Sequence, residues 1–62
     1  MPVVVIYMAE GRTLDQKRAL ARNVTNAVVE SVGVKPEQVT IRLIEQSLEN
    51  FGRGGVLRVD QR

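Results

Sequence analysis

The chain of 62 residues has no cysteine, no histidine and no tryptophan. Without cysteine there can be no disulfide and no thiolate metal site. Without histidine the commonest metal ligand and the commonest general base are both missing. Serine–histidine and cysteine–histidine catalysis, zinc fingers and haem ligation are thereby excluded. Aromatic residues are scarce as well, with one Tyr and one Phe. That is too few for the stacking platform that grips single-stranded nucleic acid. Nor is there a large excess of one charge: nine basic residues face seven acidic ones, for a net charge of +2. The basic residues are dispersed rather than gathered into a stripe, so no nucleic-acid partner is expected. The longest apolar run, residues 3–9, falls far short of the roughly 20 residues that span a bilayer. It also lacks a basic leader and a small-residue cleavage site, so neither a membrane anchor nor a signal peptide is expected. Zero cysteine fits a cytoplasmic protein.

What is present is an ordinary globular composition, 44% hydrophobic and 26% charged, in a length that allows one domain over residues 1–62. A chain this short rarely builds a core worth more than roughly 3–5 kcal/mol alone. Disulfides and thiolate metals being unavailable, assembly with other subunits is the expected source of further stability.

The run Val3-Val4-Val5-Ile6-Tyr7-Met8 is rich in β-branched residues and apolar on both parities, which predicts a strand covered on both faces. Thr13 and Gln16 have capping-box spacing and Asp15 sits in the first turn, so a helix should start near Leu14. Leu20, Val24, Ala27, Val28 and Ser31 form its expected buried stripe. Gly33 and Pro36 end it. Residues 39–45 predict a second strand, with Val39, Ile41 and Leu43 on one face and Thr40, Arg42 and Ile44 on the other. Strand, helix and strand at this spacing make a β-α-β unit with parallel strands. A glycine turn at residues 50–55 followed by a short strand over residues 56–59 predicts a C-terminal hairpin. The fold class is therefore α+β. One helix covers only one face of a two-stranded sheet, and the chain has no second helix for the other. A second subunit is the economical cover.

Candidate chemistry begins at Pro2. A small second residue permits removal of the initiator methionine, which would leave Pro2 as a free secondary amine. Apolar shelter and nearby cations would both lower the pKa of such an amine, because each disfavours a further positive charge. A partly neutral amine can act as a general base. If Met1 is retained, the same nitrogen is an amide and has no such role; proline at the head of a strand is also tolerated for purely structural reasons. Arg12, beside Gly11 at a strand-to-helix junction, is placed where ligands bind in β-α units and can fork onto a carboxylate. Arg42 is a second candidate anchor, or an interface ion-pair partner. Phe51 either packs or walls a ligand, and Arg53 in the glycine turn is expected to be exposed. The glycines resemble no phosphate loop, since neither Lys-Ser/Thr nor a helix follows them.

Pro2, Glu10-Gly11-Arg12-Thr13, Gln16-Lys17 and Phe51-Gly52-Arg53-Gly54-Gly55 together resemble the 4-oxalocrotonate tautomerase family over nearly the whole chain. The resemblance implies subunits joined in dimers through a four-stranded sheet, with three dimers forming a hexamer. It also implies a cofactor-independent isomerase that needs no metal and acts on small enol or keto carboxylates such as 2-hydroxymuconate. On that reading Pro2 is the base, Arg12 binds a substrate carboxylate and Phe51 supplies an apolar wall.

One departure stands out. The family's second arginine, on the second strand, aligns with Thr40, and Arg42 two residues on is the expected substitute. Three readings follow: a homohexameric tautomerase or a relative adapted to hydration or dehalogenation; a non-catalytic partner in a mixed oligomer of this fold; and an unrelated binding module. The dispersed charge disfavours the last.

Overall fold

The chain is described over residues 1–61 by a computed structural model. It runs through β1 (Val3–Ala9), α1 (Leu14–Val32), a 3-10 turn at Pro36–Gln38, β2 (Thr40–Gln46), the short strands β3 (Gly52–Arg53) and β4 (Val56–Leu57), and a last 3-10 turn at Arg58–Asp60. β1 and β2 pair in parallel, from Val3 against Thr40 to Ala9 against Gln46. One further bond extends the ladder at each end. The Thr40 amide donates to the Pro2 carbonyl at 3.0 Å, and the Glu10 amide donates to the Gln46 carbonyl at 2.9 Å. β3 and β4 form a separate antiparallel hairpin. The expected β-α-β unit with its C-terminal hairpin is therefore the fold observed.

Local chemistry sets the boundaries. Gly11 turns the chain out of β1 at φ 114°, a conformation that favours glycine. Thr13 then caps α1: its hydroxyl accepts from the Gln16 amide at 3.1 Å, and the Gln16 side chain accepts from the Thr13 amide at 2.9 Å. At the other end Gly33 adopts φ 74° and donates to the Val29 carbonyl. β2 starts at Thr40 rather than Val39, because the Val39 amide donates to the Pro36 carbonyl and closes the 3-10 turn. The last strand stops at Leu57, not at Val59. Beyond it the Val59 amide donates to the Leu48 carbonyl and the Gln61 amide to the Arg58 carbonyl, which coils residues 58–60 out of the ladder.

Burial separates the two faces of the β1–β2 sheet. Val4, Ile6 and Met8 are half-buried on the face toward α1, as are Ile41 and Leu43 of β2. Lys17 of α1 reaches Glu45 of β2 at 2.7 Å on that side. The helix face turned inward carries Leu20, Ala21, Val24, Thr25 and Val28. Ala27 and Ser31, expected in this stripe, are exposed instead. The inward stripe runs through the i, i+4 pairs Ala21–Thr25 and Leu20–Val24–Val28, on the side away from Ala27 and Ser31. On the other sheet face Val3, Val5 and Tyr7 are 57%, 45% and 67% exposed. Nothing in the described chain covers that face.

No described residue is fully buried. The radius of gyration is 14.7 Å, against about 11 Å for a compact chain of this length. The accessible surface is 4954 Å², against about 4,000 Å² for a folded monomer of this mass. Both values exceed those of a compact monomer, and the open face of the sheet accounts for part of the excess. Among the described residues no helix is long and apolar enough to cross a membrane.

Candidate active site

The parallel register fixes what surrounds Pro2. The proline is half-buried at the head of β1, while Met1 before it is 88% exposed. Its carbonyl is held by the Thr40 amide, so Thr40 is its nearest neighbour on β2. The side chain of Thr40 shares the open sheet face with those of Val3, Val5 and Arg42, because paired residues in a parallel ladder point the same way. Arg42 is exposed and opposite Val5. It lies on the same side as Thr40, about 7 Å further along the strand.

Arg12 lies at the other end of the molecule. It follows the Glu10–Gln46 bond that closes the far end of the ladder, and it is exposed. The seven residues of β1 put about 20 Å between the two ends of the strand. A single protomer therefore does not bring Pro2 and Arg12 together. A site that uses both must draw them from two subunits.

Phe51 is half-buried and lines an open cleft of about 200 Å³ with Gly52, Arg53, Arg58 and Gln61. The hairpin builds this cleft directly. Gly54 and Gly55 both have positive φ, 62° and 83°, as a two-residue type I′ turn requires. The turn sets Arg53 opposite Val56 and Gly52 opposite Leu57. One step back, the Arg58 amide donates to the Phe51 carbonyl at 2.8 Å. Side chains at alternate positions share a face, so Phe51, Arg53 and Arg58 face one way. Gln61 is tied underneath by its side-chain amide, which donates to the Val56 carbonyl at 3.3 Å. Gly52 can carry no side chain: a Cβ there would meet the Val56 carbonyl oxygen and lie 2.9 Å from the Leu57 Cα.

Arg58 and Gln61 were not among the residues picked out from the sequence. Treating residues 56–59 as one continuous strand hid Arg58 as an ordinary strand residue. The Gly54-Gly55 pair carried the missing signal, because a two-residue loop there places residues 51 and 58 face to face. Among the described residues neither Arg53 nor Arg58 makes an ion pair.

Residues 2–61 match the family model described as tautomerase enzyme. The chain is 43% identical over 56 residues to a 2-hydroxymuconate tautomerase of Comamonas testosteroni, covering 90% of this chain and 89% of that protein. Among solved structures it is similar to YwhB, a homologue of 4-oxalocrotonate tautomerase, with a TM-score of 0.93 and 34% identity, covering 98% of this chain and 100% of the other. A subunit of a heterohexameric 4-oxalocrotonate tautomerase from Chloroflexus aurantiacus superposes with a TM-score of 0.93 at 29% identity, with full coverage of both chains.

Proposed function

The chain belongs to the tautomerase family, and on that premise we propose that it ketonises dienol or enol carboxylates such as 2-hydroxymuconate, with the Pro2 amine as general base. The observation that carries this is the position of Pro2. It is half-buried at the head of β1, directly after an initiator methionine whose removal a small second residue permits. Removal frees a secondary amine in a half-buried setting, where burial disfavours its charged form. The amine takes the proton from the 2-hydroxyl of the dienol. The electrons move through the conjugated chain, and the same proton returns at a distant carbon, leaving a conjugated keto acid. Only a proton is passed between enzyme and substrate and the product is an isomer of the substrate, so no redox partner is called for.

Arg12, from a neighbouring subunit, forks onto a substrate carboxylate. Phe51, which lies in the hairpin cleft past the Gln46 end of β2 and away from Pro2 of its own protomer, walls the site from a neighbouring subunit and keeps water from the base. Arg42 stands on the same face as Thr40, and its long side chain spans the roughly 7 Å back to the level of Thr40, beside Pro2, where it offsets the charge that develops at the 2-oxo end. A homohexamer supplies both the cover for Val3, Val5 and Tyr7 and the second-subunit arginine. Ultraviolet assay of 2-hydroxymuconate ketonisation, on protein whose mass shows Met1 absent, tests the proposal. Activity should be present, and Pro2→Ala should lower kcat by about 10²–10⁴. An unchanged rate in that variant would remove Pro2 from the mechanism.

Thr40 favours a second reading. An uncharged residue beside Pro2, and a heterohexameric neighbour of the same fold, fit a chain that serves as one subunit type of a mixed oligomer. Co-expression with a second family member, followed by mass measurement of the intact assembly, separates the two.

A further inference from the structure

The cleft on the hairpin holds two arginines and an aromatic ring with no carboxylate among its lining residues. Arg53 and Arg58 are diagonal neighbours across the β3–β4 ladder, with Cα atoms roughly 7–8 Å apart. Both are exposed, and both side chains rise from the face that carries Phe51. Two like charges on one small face repel each other unless an anion lies between them. Guanidinium groups at this spacing can fork onto the two oxygens of a carboxylate. The ring beside them offers an apolar surface for a flat, unsaturated carbon chain. Gln61, half-buried at the rim and tethered to the Val56 carbonyl, adds a polar amide.

We propose that Arg53 and Arg58, with Phe51 as the floor, form a carboxylate-binding subsite that selects planar unsaturated dicarboxylates over monocarboxylates. Its identity as a substrate subsite rests on the reading of Phe51 as a wall of the proline site; its capacity to bind a carboxylate does not. The hairpin geometry then has a purpose: a glycine pair tight enough to bring positions 51, 53 and 58 onto one small face.

The test uses trans,trans-muconate, which has the planar diene and both carboxylates but no hydroxyl proton to transfer. Its monocarboxylate counterpart, sorbate, is the control. Titration calorimetry on the assembled protein should show muconate bound more tightly than sorbate. Arg53→Met and Arg58→Met, which keep an apolar stem and remove the charge, should each weaken muconate binding roughly ten- to hundredfold and leave sorbate less affected. Arg53→Lys and Arg58→Lys should recover part of the loss, since charge returns without the fork. Pro2→Ala should bind muconate as well as the parent does while losing turnover. Circular dichroism and sedimentation confirm that each variant is folded and assembled. Equal affinity for muconate in the parent and in the double Met variant would overturn the subsite, whatever the turnover. Loss of muconate binding in the Met variants, in a protein that turns over no dienol, would sustain the subsite and overturn the catalytic reading instead.

Discussion

The backbone amide of Thr40 donates to the carbonyl of Pro2 at 3.0 Å, so the residue beside the proposed base is a threonine, with a hydroxyl and no charge. Thr40→Arg places a guanidinium next to the proline on the open sheet face. We expect it to raise kcat for 2-hydroxymuconate by about tenfold or more, up to the 10²–10³ that one well-placed donor is worth. Arg42→Ala should lower kcat in the parent and do much less harm in the Thr40→Arg background. Steady-state kinetics on the four proteins of that cycle measures the coupling.

The protonation of Pro2 gives a pH dependence with a definite sign. In the proposed mechanism the neutral amine is the active form, so kcat/KM for ketonisation should rise as pH increases through its pKa and level off above it. Nitrogen-15 NMR of labelled proline should show an ionisation at the same pH. A rate that falls over that limb would point to the protonated amine as an acid, the behaviour expected of a relative adapted to hydration or dehalogenation.

Gly52 and Gly54 should respond differently to alanine. At Gly52 a Cβ runs into the Val56 carbonyl and the Leu57 backbone, and neither can move without breaking the hairpin. Gly52→Ala should cost about 1–3 kcal/mol and weaken carboxylate binding by displacing Phe51. At Gly54 the space is open and only the positive φ opposes a side chain, at about 1–2 kcal/mol. Thermal unfolding of the two variants, with muconate titration beside it, distinguishes loss of the cleft from simple backbone strain.

The open sheet face should govern assembly. Val5 is 45% exposed and stands opposite Arg42. Val5→Lys adds a charge to an apolar surface and a like charge to its cross-strand neighbour. Sedimentation should show a smaller species, with helix content and turnover lost together. Lys at the exposed position Asn23 of α1 should leave the assembly intact.

Most of the fold could be read from local chemistry. Thr13 and Gln16 marked the start of α1, Gly33 its end, and the β-branched residues of β1 its strand. The uncovered side of β1 could also be foreseen, because residues 3–8 are apolar on both parities while one helix covers one face. Ends set by main-chain partners were not legible. Val39 was lost to the 3-10 turn through its bond to Pro36, and residues 58–60 coiled away through bonds to Leu48 and within the turn itself. Among the proposed site residues, Pro2, Arg12 and Phe51 stood out by position or rarity. Arg58 did not, because its meaning depends on the register across Gly54-Gly55. The 20 Å between Pro2 and Arg12 follows only once β1 is seen to run its full length between them.

A protomer in which every described side chain still touches solvent has no interior to fall back on when it separates from its neighbours. Folding and association then become one equilibrium, and the midpoint of unfolding should climb with protein concentration. Dilution acts on such a molecule as a denaturant does. On the proposed mechanism a lone chain would lack the second subunit's arginine, and activity per chain should fall away as subunits part.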